Sequence, residues 1–485
     1  MLTRDEVAKH ASRTSCWVII YGLIYDVTEF LDSHPGGADV ILRLAGQDAT
    51  DEYDLVHSST LLKEAISESS RLGPVEPSGP TKFRSQLHRD NATLSATKSS
   101  LQVYDGETPP PLGVLINLDD FERVAKRYLP PNAWAYYRSG ADDEITTLLN
   151  RRSYQRVLLR ARVMRNVERI DTRTTILGQQ TSMPLFVSPT TLAKLAHRRG
   201  ECAIAAAIGA EGMIQVVSSS SSMPFEDIKQ ACAHSDQAFF FQIYINPDLH
   251  KTVALIQRVE KLGAKAIWIT VDSPVMGKRE EDERLKAEIQ VGFVQASEQS
   301  GIIKEGQQVQ GIGLTLRRML STRVTWDDLG WIRQTTRLPI VIKGIQSVED
   351  AVIAYEKGVQ GIVLSNHGGR SQDTAQPPLL TLLEIRKFAP FLLGRIEIYL
   401  DGGVRRGTDI LKALALGATA VGMGRPFLYS LSAGYGEAGV RRMVSIMRRE
   451  LESNMALVGA TRLKEVTPQM VNTKLLERDL CYVKL

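Results

Sequence analysis

The chain has 485 residues, 43% of them hydrophobic and 24% charged, with a formal net charge of +4. That length exceeds one ordinary domain, the apolar fraction suits a protein with a buried core, and so slight a positive balance excludes a nucleic-acid partner recruited by bulk charge. Cys16, Cys202, Cys232 and Cys481 are scattered without metal-site or disulfide-framework spacing, so buried thiols in a reducing compartment are expected.

The first apolar stretch, 16–25, is interrupted by Gly22 and is too short to span a bilayer. Residues 1–6 run straight into a folded-looking pattern without the shape of a leader. The expectation is a cytoplasmic protein with no membrane partner, or one of the mitochondrial intermembrane space if a presequence precedes this chain.

His34 stands before Pro35-Gly36-Gly37, and His57 follows in the segment 54–58. Two neutral imidazoles on separate loops can meet on opposite faces of a haem, and bis-histidine ligation suits electron transfer because no axial position stays open. His10 reads as a surface helix residue. With Trp17-Val18-Ile19-Ile20 and Gly22-Leu23-Ile24-Tyr25-Asp26-Val27, residues 1–76 resemble the cytochrome b5 family. The resemblance implies a small α+β domain carrying haem b, with His34 and His57 as iron ligands. Covalent attachment is not expected, since the chain has no Cys-x-x-Cys-His.

Residues 77–113 are rich in Pro, Ser, Thr and Lys and lack apolar periodicity, so they read as a linker. From 114 to 485, short β-branched runs alternate with amphipathic stretches. The runs 184–188, 213–217, 239–244, 266–271, 339–342, 361–364, 396–400 and 419–422 predict strands, and 200–211, 247–262, 348–357 and 408–416 predict helices between them. Eight such units predict an α/β fold, a closed (β/α)8 TIM barrel, with an open doubly wound sheet as the alternative. The stretch 284–320 breaks the alternation and reads as a mobile lid or excursion. A final helix is expected over 440–457.

Barrels of this kind gather their active sites at the carboxyl ends of the strands. Read that way, successive strands deliver Pro189, Thr190 and Thr191; Ser218; Gln242 and Tyr244; Thr270 and Asp272; and Lys343. The sixth delivers the turn Ser365-Asn366-His367-Gly368-Gly369-Arg370, the seventh Asp401, Gly402, Gly403 and Arg405, and the eighth Gly424 and Arg425. His367 is a candidate acid/base, Arg370 a candidate carboxylate clamp, and the last two segments suit a phosphate dianion. Any one of these alone would read as a barrel-rim salt bridge; their joint arrangement argues for a site.

Together with Trp134-Ala135-Tyr136-Tyr137-Arg138-Ser139-Gly140-Ala141 and Lys278-Arg279-Glu280, these strand ends resemble the FMN-dependent 2-hydroxy-acid dehydrogenase and oxidase family over 114 to about 468. The resemblance implies FMN on Pro189, Thr190, Thr191, Ser218, Gln242, Thr270 and Lys343, with Asp401, Gly402, Gly403, Arg405, Gly424 and Arg425 at its phosphate end. It implies that Tyr136, Arg279 and Arg370 hold the substrate carboxylate, Tyr244 meets the hydroxyl, His367 is the base and Asp272 orients it. Thr191 stands where a small apolar residue is usual and Ser220 where a large apolar one is usual, so a longer or more polar 2-hydroxy acid than lactate is expected.

Joined on one chain, the two modules imply oxidation of an L-2-hydroxy acid to the 2-keto acid. Reduced flavin holds two electrons and a haem accepts one, so electrons would pass singly to the haem and on to an acceptor such as cytochrome c. The family also implies a homotetramer. Two other readings stand beside this one: an oxidase that passes electrons to O2 with an incidental haem, and a non-catalytic haem carrier fused to a degenerate barrel.

Overall fold

The computed structural model describes residues 2–34, 37–50, 52–53, 57, 62, 66–76, 108–232, 237–285 and 321–481. Most of the expected linker and, from 286 on, the expected lid lie outside the described residues. The chain divides into two units, Met1–Leu115 and Ile116–Leu485.

In the first unit, β1 (Ala11–Ser12), β2 (Ser15–Ile20), β3 (Leu23–Asp26) and β4 (Arg71–Pro74) form an antiparallel sheet in sequence order. The turn between β2 and β3 is Tyr21-Gly22, both at positive φ (53° and 73°), the geometry that matches a hairpin to strand twist. Period-2 alternation sends Cys16, Val18 and Ile20 into a cluster with Tyr25, Val27, Leu31, Ala45, Ala49 and Leu62. Ile19 points the other way, to Val7, Ile24 and Val75. His10 corrects its sequence reading: it lies beyond the helix Arg4–Ala8, stacks on Trp17 at 3.5 Å, and its Nδ1 sits 2.6 Å from Ser15 Oγ.

The second unit is a closed parallel barrel of β5 (Leu185–Val187), β6 (Ile214–Ser218), β7 (Phe239–Ile243), β8 (Ile267–Thr270), β9 (Ile340–Ile345), β10 (Gly361–Leu364), β11 (Glu397–Leu400) and β12 (Ala420–Met423), with β12 pairing back onto β5. An open sheet is thereby excluded. One buried cluster takes a residue from every strand: Phe186, Val216, Phe240, Trp268, Val341, Val363, Tyr399 and Ala420. Contributions from the whole circle place this cluster inside the barrel, where Trp268 stacks on Tyr399 at 5.3 Å between ring centroids. Ile176, from the hairpin Thr174–Ile176 and Gln179–Thr181, joins it.

Side chains repeat on one face of a strand every second residue. Two residues on from the apolar layer, the same face therefore presents Ser188, Ser218, Gln242, Thr270, Lys343, Ser365, Asp401 and Gly422. The barrel core thus changes from apolar to polar in one step at seven of the eight strands, Gly422 being the exception, and the second layer floors the site.

β9 runs past its expected end at 342. Its register with β10 shifts between Lys343 and Ile345, where Gly344 has φ 114° and a Cβ would fall 2.5 Å from that of Asp272. The last helix, Gly436–Leu457, starts four residues earlier than expected. The thiols divide: Cys16 and Cys202 are buried as expected, whereas Cys232 is half-buried and Cys481 exposed. Among the described residues no helix is long and apolar enough to cross a membrane.

Candidate active site

The polar layer is cross-linked around the barrel. Ser218 Oγ donates to Gln242 Oε1 (3.0 Å), Gln242 Nε2 to Thr270 Oγ1 (2.9 Å), and Ser188 Oγ to Asp401 Oδ2 (3.2 Å). Lys343 Nζ donates to Ser365 Oγ (2.8 Å) and lies 3.3 Å from Asp401 and 3.7 Å from Asp272. Burial alone would pull this ammonium down, but the two carboxylates outweigh it and its pKa rises, so the lysine stays charged. Above the layer opens a cavity of about 420 Å3, lined by Pro189, Thr190 and Thr191, by Ser218–Ser220, and by Tyr244, His367 and the 401–405 and 422–426 segments.

His367, Gly368 and Gly369 follow one another at φ 58°, 66° and 77°, a left-handed run natural to glycine and strained for histidine. The surroundings hold it. Ser365 Oγ accepts from the His367 N–H (3.1 Å), and Asn366 exchanges amide hydrogen bonds with Asn150 (2.8 and 2.7 Å) while accepting from Gly369 N–H (3.1 Å). The turn so fixed brings His367 Nδ1 to 2.7 Å from Asp272 Oδ1, leaving Nε2 for a reacting group. Ser273 Oγ lies 3.2 Å from the same Nδ1 and 2.9 Å from Ser371 Oγ. Burial raises the Asp272 carboxyl, but His367 and Lys343 outweigh it and bring it down to about 2.

Tyr136 is buried beside two guanidinium groups, with Arg370 Cζ 5.2 Å and Arg279 Cζ 5.8 Å from its ring centroid. Arg370 donates to the carbonyls of Tyr137 (3.1 Å) and Ser139 (2.8 Å); burial, then Arg279 and Arg425, push its pKa down to about 9. Arg279 is buried with Nε and Nη1 lacking hydrogen-bond partners among the described residues. Two unpaired cationic donors beside a second guanidinium form an anion site. Burial and the nearby Asp272 charge raise the Tyr244 phenol, which therefore keeps its proton. Tyr136 Oη lies 2.7 Å from Thr191 Oγ1.

The arginines expected at a phosphate are less free than their sequence suggests. Arg405 pairs with Asp119 and Glu122, each at 2.6 Å, and Arg425 donates to the carbonyls of Tyr137 (2.9 Å), Gly368 (2.9 Å) and Ser139 (3.1 Å). What remains toward an added group is the buried Arg405 Nε and Asp401 Oδ1, both without a partner among the described residues, and the glycine edge of Gly402, Gly403 and Gly424. A cavity with a polar floor, an unpaired guanidinium nitrogen and side-chain-free walls fits a flavin nucleotide.

In the first unit the His34 and His57 rings lie 6.0 Å apart between centroids, at 75° to each other. Two imidazoles facing each other at this distance would hold a haem iron between them, each supplying one neutral nitrogen. His34 Nδ1 lies 3.0 Å from the Gly37 carbonyl, to which it can donate, freeing Nε2 as the ligand atom. Burial lowers both histidines, His57 to about 4 with His34 adding to the effect, so both are in the neutral, metal-binding form. The two residues fit a haem.

Ser273, Ser371 and Asn150, which brace the His367 turn, were not marked by any sequence pattern. A polar-floored (β/α)8 barrel with an acid–base pair beside an anion clamp, on a chain carrying a paired-imidazole module, defines a flavin- and haem-dependent 2-hydroxy-acid dehydrogenase. The FMN-dependent dehydrogenase family matches residues 125–473, and the cytochrome b5-like heme/steroid binding domain matches residues 3–76; the chain belongs to the first and carries the second. It is 39% identical to the L-lactate dehydrogenase (cytochrome) of Saccharomyces cerevisiae over 484 residues, 97% of this chain and 80% of that one. It is also 39% identical to glycolate oxidase 3 of Arabidopsis thaliana, over 74% of this chain and 96% of that one. Among solved structures, an arginine-to-lysine mutant of flavocytochrome b2 superposes with a TM-score of 0.68 at 38% identity, covering 78% of this chain and 91% of that one.

Proposed function

We propose that the barrel oxidises an L-2-hydroxy acid with His367 as the base, and that electrons leave singly through the haem unit to a protein acceptor of the cytochrome c class. The 2.7 Å contact between His367 Nδ1 and Asp272 Oδ1 carries the reading, because it fixes one ring nitrogen and turns the other to the cavity. In this reading Arg370 and Arg279 hold the substrate carboxylate, Tyr136 adds a hydroxyl donor, and the protonated Tyr244 meets the substrate hydroxyl. As the Cα–H and O–H bonds give way to C=O, His367 Nε2 takes one proton, the electron pair and the second hydrogen leave the substrate for the flavin site, and the Asp272 carboxylate steadies the resulting imidazolium. Bound FMN supplies the two-electron acceptor and haem b the one-electron carrier. Lys343, charged and buried, offsets negative charge gathered at the floor.

The oxidase reading is less favoured, since the glycolate oxidases match the barrel portion whereas the cytochrome-linked dehydrogenases match 97–98% of this chain. A homotetramer, and a compartment shared with a soluble cytochrome acceptor, belong to the same proposal. Ser220 lines the cavity with a small polar side chain, which supports a substrate longer or more polar than lactate. Anaerobic mixing with a panel of L-2-hydroxy acids tests the whole reading: flavin bleaching followed by reduction of the haem band is expected. Bleaching without haem reduction would sink the relay, and no bleaching with any acid would sink the substrate class.

A further inference from the structure

We infer that Thr191 is a positioning residue for substrate binding that acts through Tyr136. This rests on the reading of Tyr136 as a carboxylate ligand. The two residues lie 55 positions apart, Thr191 on the loop after β5 and Tyr136 on the helix Pro131–Arg138, and both line the cavity. Their oxygens are 2.7 Å apart, a good hydroxyl–hydroxyl hydrogen bond. The Thr191 hydroxyl, counted in sequence only as a polar replacement in the pocket wall, is therefore already paired with a carboxylate-binding residue.

The Tyr136 ring is buried, with the Arg370 and Arg279 guanidinium groups close to its face, so its oxygen has little room to move while its proton can still point either way. A phenol has one proton to give and lone pairs to accept with. If the proton points to Thr191, it cannot serve a carboxylate in the cavity. With an anion bound, the arrangement that uses every donor has Thr191 donating to Tyr136 and Tyr136 donating to the carboxylate. Each bond in such a chain polarises the next. A threonine or serine can start the chain. Valine, of the same shape as threonine, cannot.

The test uses the full chain with FMN and haem bound, and compares wild type with Thr191→Val, Thr191→Ser, Tyr136→Phe and the double variant Tyr136→Phe/Thr191→Val. Steady-state kinetics is paired with an anaerobic absorbance titration of oxalate, a carboxylate with no Cα hydrogen to lose. Loss of one such hydrogen bond should weaken oxalate binding about three- to tenfold in Thr191→Val, with the change falling on KM more than on kcat. Thr191→Ser should restore binding, and in the Tyr136→Phe background the valine should cost nothing further. Thr191→Ala carries the same expectation should valine displace the flavin. Unaltered oxalate binding in Thr191→Val, or an equal loss in both backgrounds, would overturn the inference while leaving Tyr136 as a ligand. Unaltered binding in Tyr136→Phe alone would overturn both.

Discussion

His367 in the barrel and His57 in the N-terminal unit are both half-buried imidazoles, yet their surroundings prepare them for opposite tasks. A carboxylate stands 2.7 Å from His367 Nδ1, itself held near pKa 2 and ready to receive an imidazolium. His57 instead faces the rings of His34 and Tyr53, 6.0 and 4.9 Å away between centroids, and burial drives it down to about 4. On the proposed reading, one site is organised around moving a proton and the other around excluding one. The first is braced by side chains of its own unit, so it stands before any ligand arrives. In the proposed reading the second holds a haem, whose binding adds stability to the folded unit.

The largest test of that contrast is His367→Gln. Removing a general base typically costs ~10² to 10⁴-fold, so flavin reduction by substrate should fall by that factor in stopped-flow traces while the dithionite-reduced haem spectrum stays intact. His57→Ala should do the reverse, keeping flavin reduction and abolishing cytochrome c reduction and the b-type band. It should also remove the stabilisation a tight cofactor confers, about 4 kcal/mol at a thousandfold excess over Kd. Normal cytochrome c turnover by His57→Ala would erase the distinction between the two histidines.

The pH dependence sharpens the barrel side. The folded pKa of Asp272, about 2, lies below the ordinary 3.8, so the carboxylate contributes stability above about pH 4 and loses it as pH falls toward 2. Urea unfolding should therefore show wild type ahead of Asp272→Asn by on the order of 2 kcal/mol near neutrality, with the gap closing in acid. A gap that persists at pH 2 would mean packing, not charge, ties Asp272 to the site. The smallest effect is expected at the cavity wall: Ser220→Leu should move kcat/KM toward lactate by about tenfold relative to a longer or polar 2-hydroxy acid. No shift would leave specificity to groups other than this wall.

Much of the barrel was legible because short continuous apolar runs are local, and the strand ends named many of the residues around the cavity. Electrostatic pairing was not legible. Arg405 and Arg425 look free in sequence because Asp119, Glu122 and the Tyr137 carbonyl that hold them lie hundreds of residues away. The same holds for Asn150, whose amide reaches across 216 positions to brace the residue before His367. His10 was misread for a related reason, since its stacking partner Trp17 belongs to the next strand. The bulge after Lys343 also escaped notice, although Gly344 within an apolar run is itself a signal of a bulge.

That bulge bears on how such an enzyme can change over generations. Gly344 sits on a strand and leaves its missing side chain's place to Asp272, so almost any substitution there would shove the carboxylate off His367 without altering the wall that meets the substrate. Ser220, by contrast, lies on a loop whose side chain can be exchanged without moving the strand behind it. Substrate range is therefore free to drift at the rim while the proton-transfer geometry stays locked from within the barrel, and a lineage can acquire a new acid to oxidise without having to reinvent the oxidation.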